Sequence, residues 1–180
     1  PKEKLPLYNV FYEARTLARG FPGLLSRVQL PDHEPVPFGD LLFRGDFGCI
    51  ALEVCEDIWS PDGPMRRRCY SGAELVLNLS ASPFRAGVTG TRREMIATRA
   101  ADNQCTVAYA NLVGGQDELI FDGRSHVCDS QGQLLAGLAA FAEDFRVVDI
   151  ASASSANSGS AAQLAAPSSQ IAPSFERSEE

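Results

Sequence analysis

The chain has 180 residues, a formal net charge of −7, 44% hydrophobic residues and 22% charged residues. That length and composition are ordinary for one globular domain with a sizeable core. The acidic balance argues against nucleic acid as a partner, because phosphate binding needs a basic face. No apolar run approaches the roughly 20 residues of a membrane-spanning helix, and no signal peptide is visible. We therefore expect neither a nucleic-acid nor a membrane partner.

The cysteines and histidines indicate the redox environment and the prospects for metal binding. The five cysteines are odd in number, and no two have C-x-x-C spacing, which favours reduced thiols in a cytoplasmic protein over a disulfide framework. The two histidines, His33 and His126, lie far apart in the sequence, so no metal site is predicted.

The first half of the chain predicts helices and strands in alternation. A short helix is indicated at 11–20, and the proline-rich, acidic stretch 31–40 is typical of a loop or edge ribbon. The apolar run 47–54 predicts a buried strand. A helix follows, in which Pro64 suits the first position and the basic run 66–68 is expected on a solvated face.

The middle of the chain continues this alternation. Residues 74–80 are apolar at both alternating faces, as expected for a strand covered on two sides. Residues 91–104 predict the clearest helix, in which Thr91 and Glu94 have the spacing of a capping box. The stretch 105–112 predicts a further strand.

A Gly-Gly turn and three more strands, at 124–129, 132–138 and 145–150, complete the predicted fold. The order of elements predicts an α/β domain with a mixed sheet over residues 1–150. Residues 151–180 are rich in serine and alanine, and their low apolar content predicts a disordered tail or linker.

One cysteine differs from the others in its position. Cys55 ends a predicted buried strand, where α/β folds present ligands and nucleophiles, so it is either a nucleophile or a structural thiol. A thiolate nucleophile needs a base or cation nearby. Of the two histidines, His33 lies in a proline-rich loop and His126 in a predicted strand, and either could be an ordinary surface or core residue. The only lysines, Lys2 and Lys4, are either part of this chemistry or a solvated charged terminus. The remaining cysteines fit inert packing roles: Cys49, Cys69, Cys105 and Cys128.

Four stretches of the chain stand out as motifs: "PKEKLPLYNVFYEAR", "CEDIWSP", "LNLSASPF" and "NLVGGQDELIFDGRSHV". Together they resemble the carbon–nitrogen hydrolase (nitrilase) superfamily, and more narrowly the glutaminase domain of glutamine-dependent NAD+ synthetases. The resemblance extends from Pro1 to about Ile150 and implies an αββα sandwich with a Glu–Lys–Cys triad, which dimerises.

The resemblance implies roles for individual residues. Cys55 matches the nucleophile, and Lys2, three residues before the Leu-Pro pair, matches the triad lysine. The substrate contacts of the family fall on Tyr8, Glu56 and Ser82. The backbone N–H of Glu56 also lies where the family completes its oxyanion hole.

The implied reaction begins with attack of the cysteine on the side-chain amide of glutamine. Ammonia is released, and water then hydrolyses the resulting thioester. In the family this ammonia passes to a synthetase domain that uses ATP to amidate deamido-NAD+. The resemblance therefore implies no cofactor in this domain, with glutamine, the synthetase domain and a second copy of the chain as partners.

Two positions depart from the family pattern. The triad glutamate of the family stands upstream of the lysine, and this chain begins at Pro1, so we expect a truncated, incomplete sandwich with weak or no activity. Glu53 should share a side of its strand with Cys55, but it matches no motif, and the simpler reading is a residue satisfied by its neighbours.

The second departure is Val88, which stands where the family often has a basic residue, and Arg85 or Arg92 could substitute for it. Two alternatives to the glutaminase reading stay open. One is a stand-alone amidase or nitrilase that acts on another amide, and the other is a non-catalytic remnant that acts in assembly.

Overall fold

A computed structural model describes residues 1–150 and 171–173. The helices and strands follow in the order α1 (Glu13–Thr16), β1 (Leu25–Val28), β2 (Val36–Gly39), β3 (Leu41–Gly45), β4 (Gly48–Val54), α2 (Glu56–Trp59), α3 (Pro64–Tyr70), β5 (Leu75–Ser80), α4 (Val88–Asn103), β6 (Thr106–Asn111), β7 (Val113–Gln116), β8 (Leu119–Asp122), β9 (His126–Cys128), β10 (Leu134–Gly137) and β11 (Ile171–Pro173).

The central element is a seven-stranded mixed sheet with the strand order β10-β9-β6-β5-β4-β3-β11. Strands β4, β5 and β6 are parallel, and the other pairs in this sheet are antiparallel. Two separate hairpins, β1-β2 and β7-β8, accompany it. The predicted α/β class with a mixed sheet is confirmed.

Helices α2, α3 and α4 cover one face of the sheet because their apolar residues meet the inward-facing positions of β4, β5 and β6. On β4 these positions are Cys49, Ala51 and Glu53, which alternate with more exposed residues. The buried core consists of Leu42, Cys49, Ala51, Ile58, Met65, Ala73, Val76, Ile96, Ala100, Cys105, Val107, Tyr109 and Cys128.

The other face of the sheet is open among the described residues. Leu52 and Val54 are each 40% exposed and Leu79 is 55% exposed. The prediction that 74–80 is covered on both sides is therefore wrong here, because the described helices pack on one side of β5.

Two predicted features in the second half are also wrong. Helix α4 begins at Val88, after Gly87 with φ of 81°, so Thr91 lies inside the helix and donates to the Gly87 carbonyl instead of capping. The predicted strand at 145–150 does not form, since Phe145 is 86% exposed and has no sheet neighbour among the described residues.

The basic run 66–68 is not a solvated face. Arg68 is buried, and its Nε donates to Asp40 Oδ1 at 3.0 Å, while Arg67 bonds both Asp40 and Glu3. Buried acidic partners explain the difference, because paired charges can leave water where isolated ones cannot. Of the three arginines, Arg66 keeps the exposed position.

The predicted tail at 151–180 lies outside the described residues except for Ile171–Pro173, where no regular structure was expected. These three residues form β11, antiparallel to β3. Within residues 1–150 and 171–173, no helix has both the length and the apolar character that a bilayer crossing demands.

Candidate active site

The turn after β4 holds Cys55 in an unusual backbone conformation. Its φ of 48° and ψ of −103° lie outside the regions that a non-glycine residue normally adopts. Helix α2 starts at the next residue, and the Cys55 N–H donates to the Leu79 carbonyl at 2.9 Å. A strained strand-to-helix turn of this kind projects a side chain at the carboxyl edge of parallel strands, where nucleophiles are often presented.

Burial raises the pKa of the Cys55 thiol, and three neighbouring groups oppose that effect. The ammonium of Lys2 contributes most of the opposition, because positive charge favours a thiolate. The hydroxyl of Ser80, the last residue of β5, and the N–H of Ala81 also lower the pKa of this thiol through hydrogen bonds. Lys2 is therefore close enough to Cys55 for its charge to act on the thiol.

Lys2 has a carboxylate partner that the sequence reasoning missed. Its Nζ lies 2.5 Å from Oε2 of Glu13, on α1, and the Lys2 side chain is only 11% exposed. The short ion pair holds the ammonium in a fixed, largely buried position. Glu13 lies in the quoted motif that contains Lys2, but a contact across 11 residues of irregular chain has no periodic signal.

Tyr8 and Glu56 are also brought together. The Tyr8 hydroxyl donates to Glu56 Oε2 at 2.8 Å. Burial, followed by this hydrogen bond, raises the pKa of Tyr8 to about 12, and the Arg85 guanidinium acts in the opposite direction. A phenol, a carboxylate and a guanidinium thus lie near one another, and the carboxylate belongs to the residue that follows Cys55.

Ser82 lies deeper than these groups. It is 6% exposed, its N–H donates to Asn111 Oδ1 at 2.9 Å, and its carbonyl and hydroxyl accept from Arg92. Arg92 is itself buried and donates to Asp122 Oδ1 at 2.9 Å. Of the two arginines considered as substitutes at the Val88 position, Arg92 is thus a structural residue, and Arg85 is exposed beside Tyr8.

Glu53 does not join the Cys55 cluster. Its carboxylate lies on the helix-covered side, with Arg68 Nη1 4.0 Å from Oε1, and neither carboxylate oxygen has a hydrogen-bond partner among the described residues. Burial raises the pKa of Glu53 to about 8. The expectation that neighbours satisfy this residue is wrong, and the positive φ of Cys55 explains why the two side chains part.

The sequence comparisons agree with this geometry. The Carbon-nitrogen hydrolase family pattern matches residues 12–158. The glutamine-dependent NAD(+) synthetase of Aquifex aeolicus is 40% identical over 149 residues, which cover 83% of this chain and 23% of that protein. The chain therefore spans about a quarter of the length of the curated relatives it matches.

Solved structures of related proteins have a similar fold. The glutamine-dependent NAD(+) synthetase of Cytophaga hutchinsonii matches with a TM-score of 0.65 and 30% identity, over 77% of this chain and 22% of that one. An amidase mutant from Nesterenkonia sp. AN1, which carries the acetamide moiety of fluoroacetamide on its active-site cysteine, matches with a TM-score of 0.55 and 28% identity, over 77% of this chain and 44% of that one. This chain belongs to the carbon–nitrogen hydrolase family.

Proposed function

We propose that this chain is the glutamine-hydrolysing part of a glutamine-dependent NAD+ synthetase and that Cys55 is its nucleophile. The observation that carries the proposal is the position of Cys55 on a strained turn beside the Lys2 ammonium. The identity to proteins named glutamine-dependent NAD(+) synthetases supports glutamine as the substrate.

The proposed reaction has two covalent steps. The Cys55 thiolate attacks the side-chain amide carbon of glutamine, the C–N bond breaks, and ammonia leaves with the proton taken from the thiol. Water then attacks the thioester, and the products are glutamate and the regenerated thiol. Lys2 stabilises the negative charge that develops on the carbonyl oxygen, and Glu13 holds Lys2 in place.

The groups beside Cys55 suit the two ends of a free amino acid. The Glu56 carboxylate, oriented by the Tyr8 hydroxyl, would accept from the α-amino group of glutamine. The exposed guanidinium of Arg85 would bind the α-carboxylate, which supplies the basic group that Val88 does not. Ser82, held by Asn111 and Arg92, would shape the floor of this site.

The wider setting is also part of the proposal. The ammonia would pass to a synthetase domain that amidates deamido-NAD+ with ATP, so the hydrolase domain itself would need no cofactor. The five free cysteines suit the reducing cytoplasm, where their thiols persist. The active assembly is proposed to be a homo-oligomer.

The 180-residue chain should release ammonia from glutamine slowly. Among the described residues, the groups that hydrogen-bond the Cys55 thiol are a hydroxyl and a backbone N–H, and neither of them is a general base. A positioned general base is worth about 10²–10⁴ in rate. Ammonia release from glutamine is the test, with Cys55→Ala as the control. Release that Cys55→Ala retains would refute the nucleophile, and faster release from acetamide than from glutamine would favour the stand-alone amidase.

A further inference from the structure

A second acidic residue of the "CEDIWSP" motif, Asp57, has an unusual set of partners. Its side chain is completely buried. Oδ1 accepts the backbone N–H of Glu3 at 2.9 Å and that of Lys4 at 2.8 Å. Oδ2 accepts the backbone N–H of Val54 at 3.3 Å. One carboxylate therefore binds three backbone donors, two from a segment distant in sequence and one from the end of β4.

These partners are the immediate neighbours of the two reactive groups. Glu3 and Lys4 follow Lys2, and Val54 precedes Cys55. The hydrogen bonds span sequence separations of 54 and 53 residues, so no local structure duplicates them. Among the described residues, the other hydrogen bonds and ion pairs of residues 2–4 lead to Gly20, Glu13, Asp62, Arg67 and Arg68, none of which lies in the turn that holds Cys55.

We propose that Asp57 is a positioning residue that fixes the Lys2 ammonium relative to the Cys55 thiol. It does so through the backbone, with one oxygen on each of the two chain segments. The inference rests on the proposed role of Cys55 as nucleophile.

A carboxylate is required for this arrangement because all three partners are donors. In Asp57→Asn the amide oxygen can still accept from Glu3 and Lys4, but the amide nitrogen then faces the N–H of Val54, donor against donor. Hydrogen bonds to a charged acceptor are also the stronger kind. The substitution therefore costs the bond to Val54 and weakens the bonds to Glu3 and Lys4, so it should loosen the tie between the two segments with little change in side-chain volume.

The pH dependence of Cys55 alkylation by iodoacetamide measures this positioning directly and needs no glutamine turnover. If the ammonium is no longer fixed beside the thiol, the pH at which alkylation is half-maximal, the midpoint, should rise. The expected rise is about 1 pH unit, because a nearby positive charge lowers the pKa of a thiol by about that much. Loss of the Asp57 negative charge alone would move the midpoint in the opposite direction. A purely structural role would lower thermal stability and leave the midpoint of the folded protein unchanged.

Three companion variants sharpen the test. Lys2→Gln should raise the midpoint by itself, and Asp57→Asn added to it should have little further effect, since the two act on one interaction. Asp57→Glu keeps the charge but displaces it, and should also raise the midpoint. Asp129→Asn is the matched control, because Asp129 Oδ1 accepts the N–H groups of Gln131 at 2.9 Å and Gln133 at 2.8 Å in a distant turn.

The expected result is a higher midpoint in Asp57→Asn and Asp57→Glu, an unchanged one in Asp129→Asn, and no additivity with Lys2→Gln. An unchanged or lower midpoint in both Asp57 variants, or full additivity with Lys2→Gln, would overturn the inference. The proposed function fails separately: it fails if free glutamine does not slow the labelling of Cys55 by a diazoketone analogue of glutamine, whatever the alkylation midpoints show.

Discussion

At the scale of single residues, Glu53 carries a measurable cost of burial. The residue is 1% exposed, and burial raises the pKa of its carboxyl group to about 8 from an ordinary value of 4.5. Below pH 4.5 both the folded and the unfolded chain hold the proton. Between pH 4.5 and 8 only the folded chain holds it, so the free energy of unfolding falls as the pH rises.

Glu53→Gln should remove this dependence. The slope contributed by one such group approaches about 1.4 kcal/mol per pH unit, so the variant should gain stability relative to the parent from pH 5 to pH 8. Urea unfolding of both proteins at a series of pH values measures this difference in stability. Glu94→Gln, on the exposed face of α4, is the matched control and should keep the parent's slope. Parallel curves for the parent and Glu53→Gln would contradict the assignment.

Tyr8 gives a second prediction at this scale. Tyr8→Phe removes the hydrogen bond to Glu56, and bonds to charged groups are worth about 1.5–3 kcal/mol. We expect the rate of Cys55 labelling by a diazoketone analogue of glutamine to fall about tenfold or more, while labelling by iodoacetamide changes little. Tyr12→Phe removes an exposed hydroxyl and should change neither rate. Equal losses with both reagents would mean that Tyr8 does not contact the substrate.

At the scale of elements, the turn between α2 and α3 depends on a glycine. A Cβ at Gly63 would lie 2.1 Å from the Asp57 carbonyl oxygen, so backbone must shift to accommodate it. Gly63→Ala should destabilise the chain by about 1–3 kcal/mol, the usual cost of overpacking. It should also raise the alkylation midpoint of Cys55, because Asp57 moves with the turn.

The matched substitution is Gly90→Ala, in the first turns of α4. A Cβ there meets nothing within 4 Å, and alanine is the better helix former by about 0.5–1 kcal/mol. Thermal unfolding should therefore show a higher midpoint temperature for Gly90→Ala and a lower one for Gly63→Ala. Equal destabilisation by both would contradict the close approach at Gly63.

Which elements the sequence could predict depends on how local their signals are. Strands β4, β5 and β6 and helix α4 show apolar patterns within one segment and were predicted. The β1-β2 hairpin gave weak signals, because half of its strand residues are exposed and buried positions do not alternate with exposed ones. The interactions of Asp57, Glu13 and Arg68 join segments distant in sequence, which no single-segment pattern contains.

At the scale of the whole molecule, one face of the sheet is covered by helices and the other carries exposed leucine and valine side chains. The candidate site lies at the edge of the sheet where the parallel strands β4, β5 and β6 have their carboxyl ends. Its reactive groups come from the first thirteen residues and from the ends of β4 and β5. The proposed site therefore depends on contacts between segments distant in sequence, and a local prediction of Cys55 alone does not describe it.

The central claim is that Cys55 is the nucleophile of a glutamine-hydrolysing site. Labelling the full chain with the diazoketone analogue of glutamine, followed by peptide mapping, tests it most directly. The account predicts one adduct on Cys55, protection by free glutamine, and slower labelling in Lys2→Gln. Adducts on Cys69 or Cys128, or labelling of Cys55 that glutamine does not slow, would contradict it.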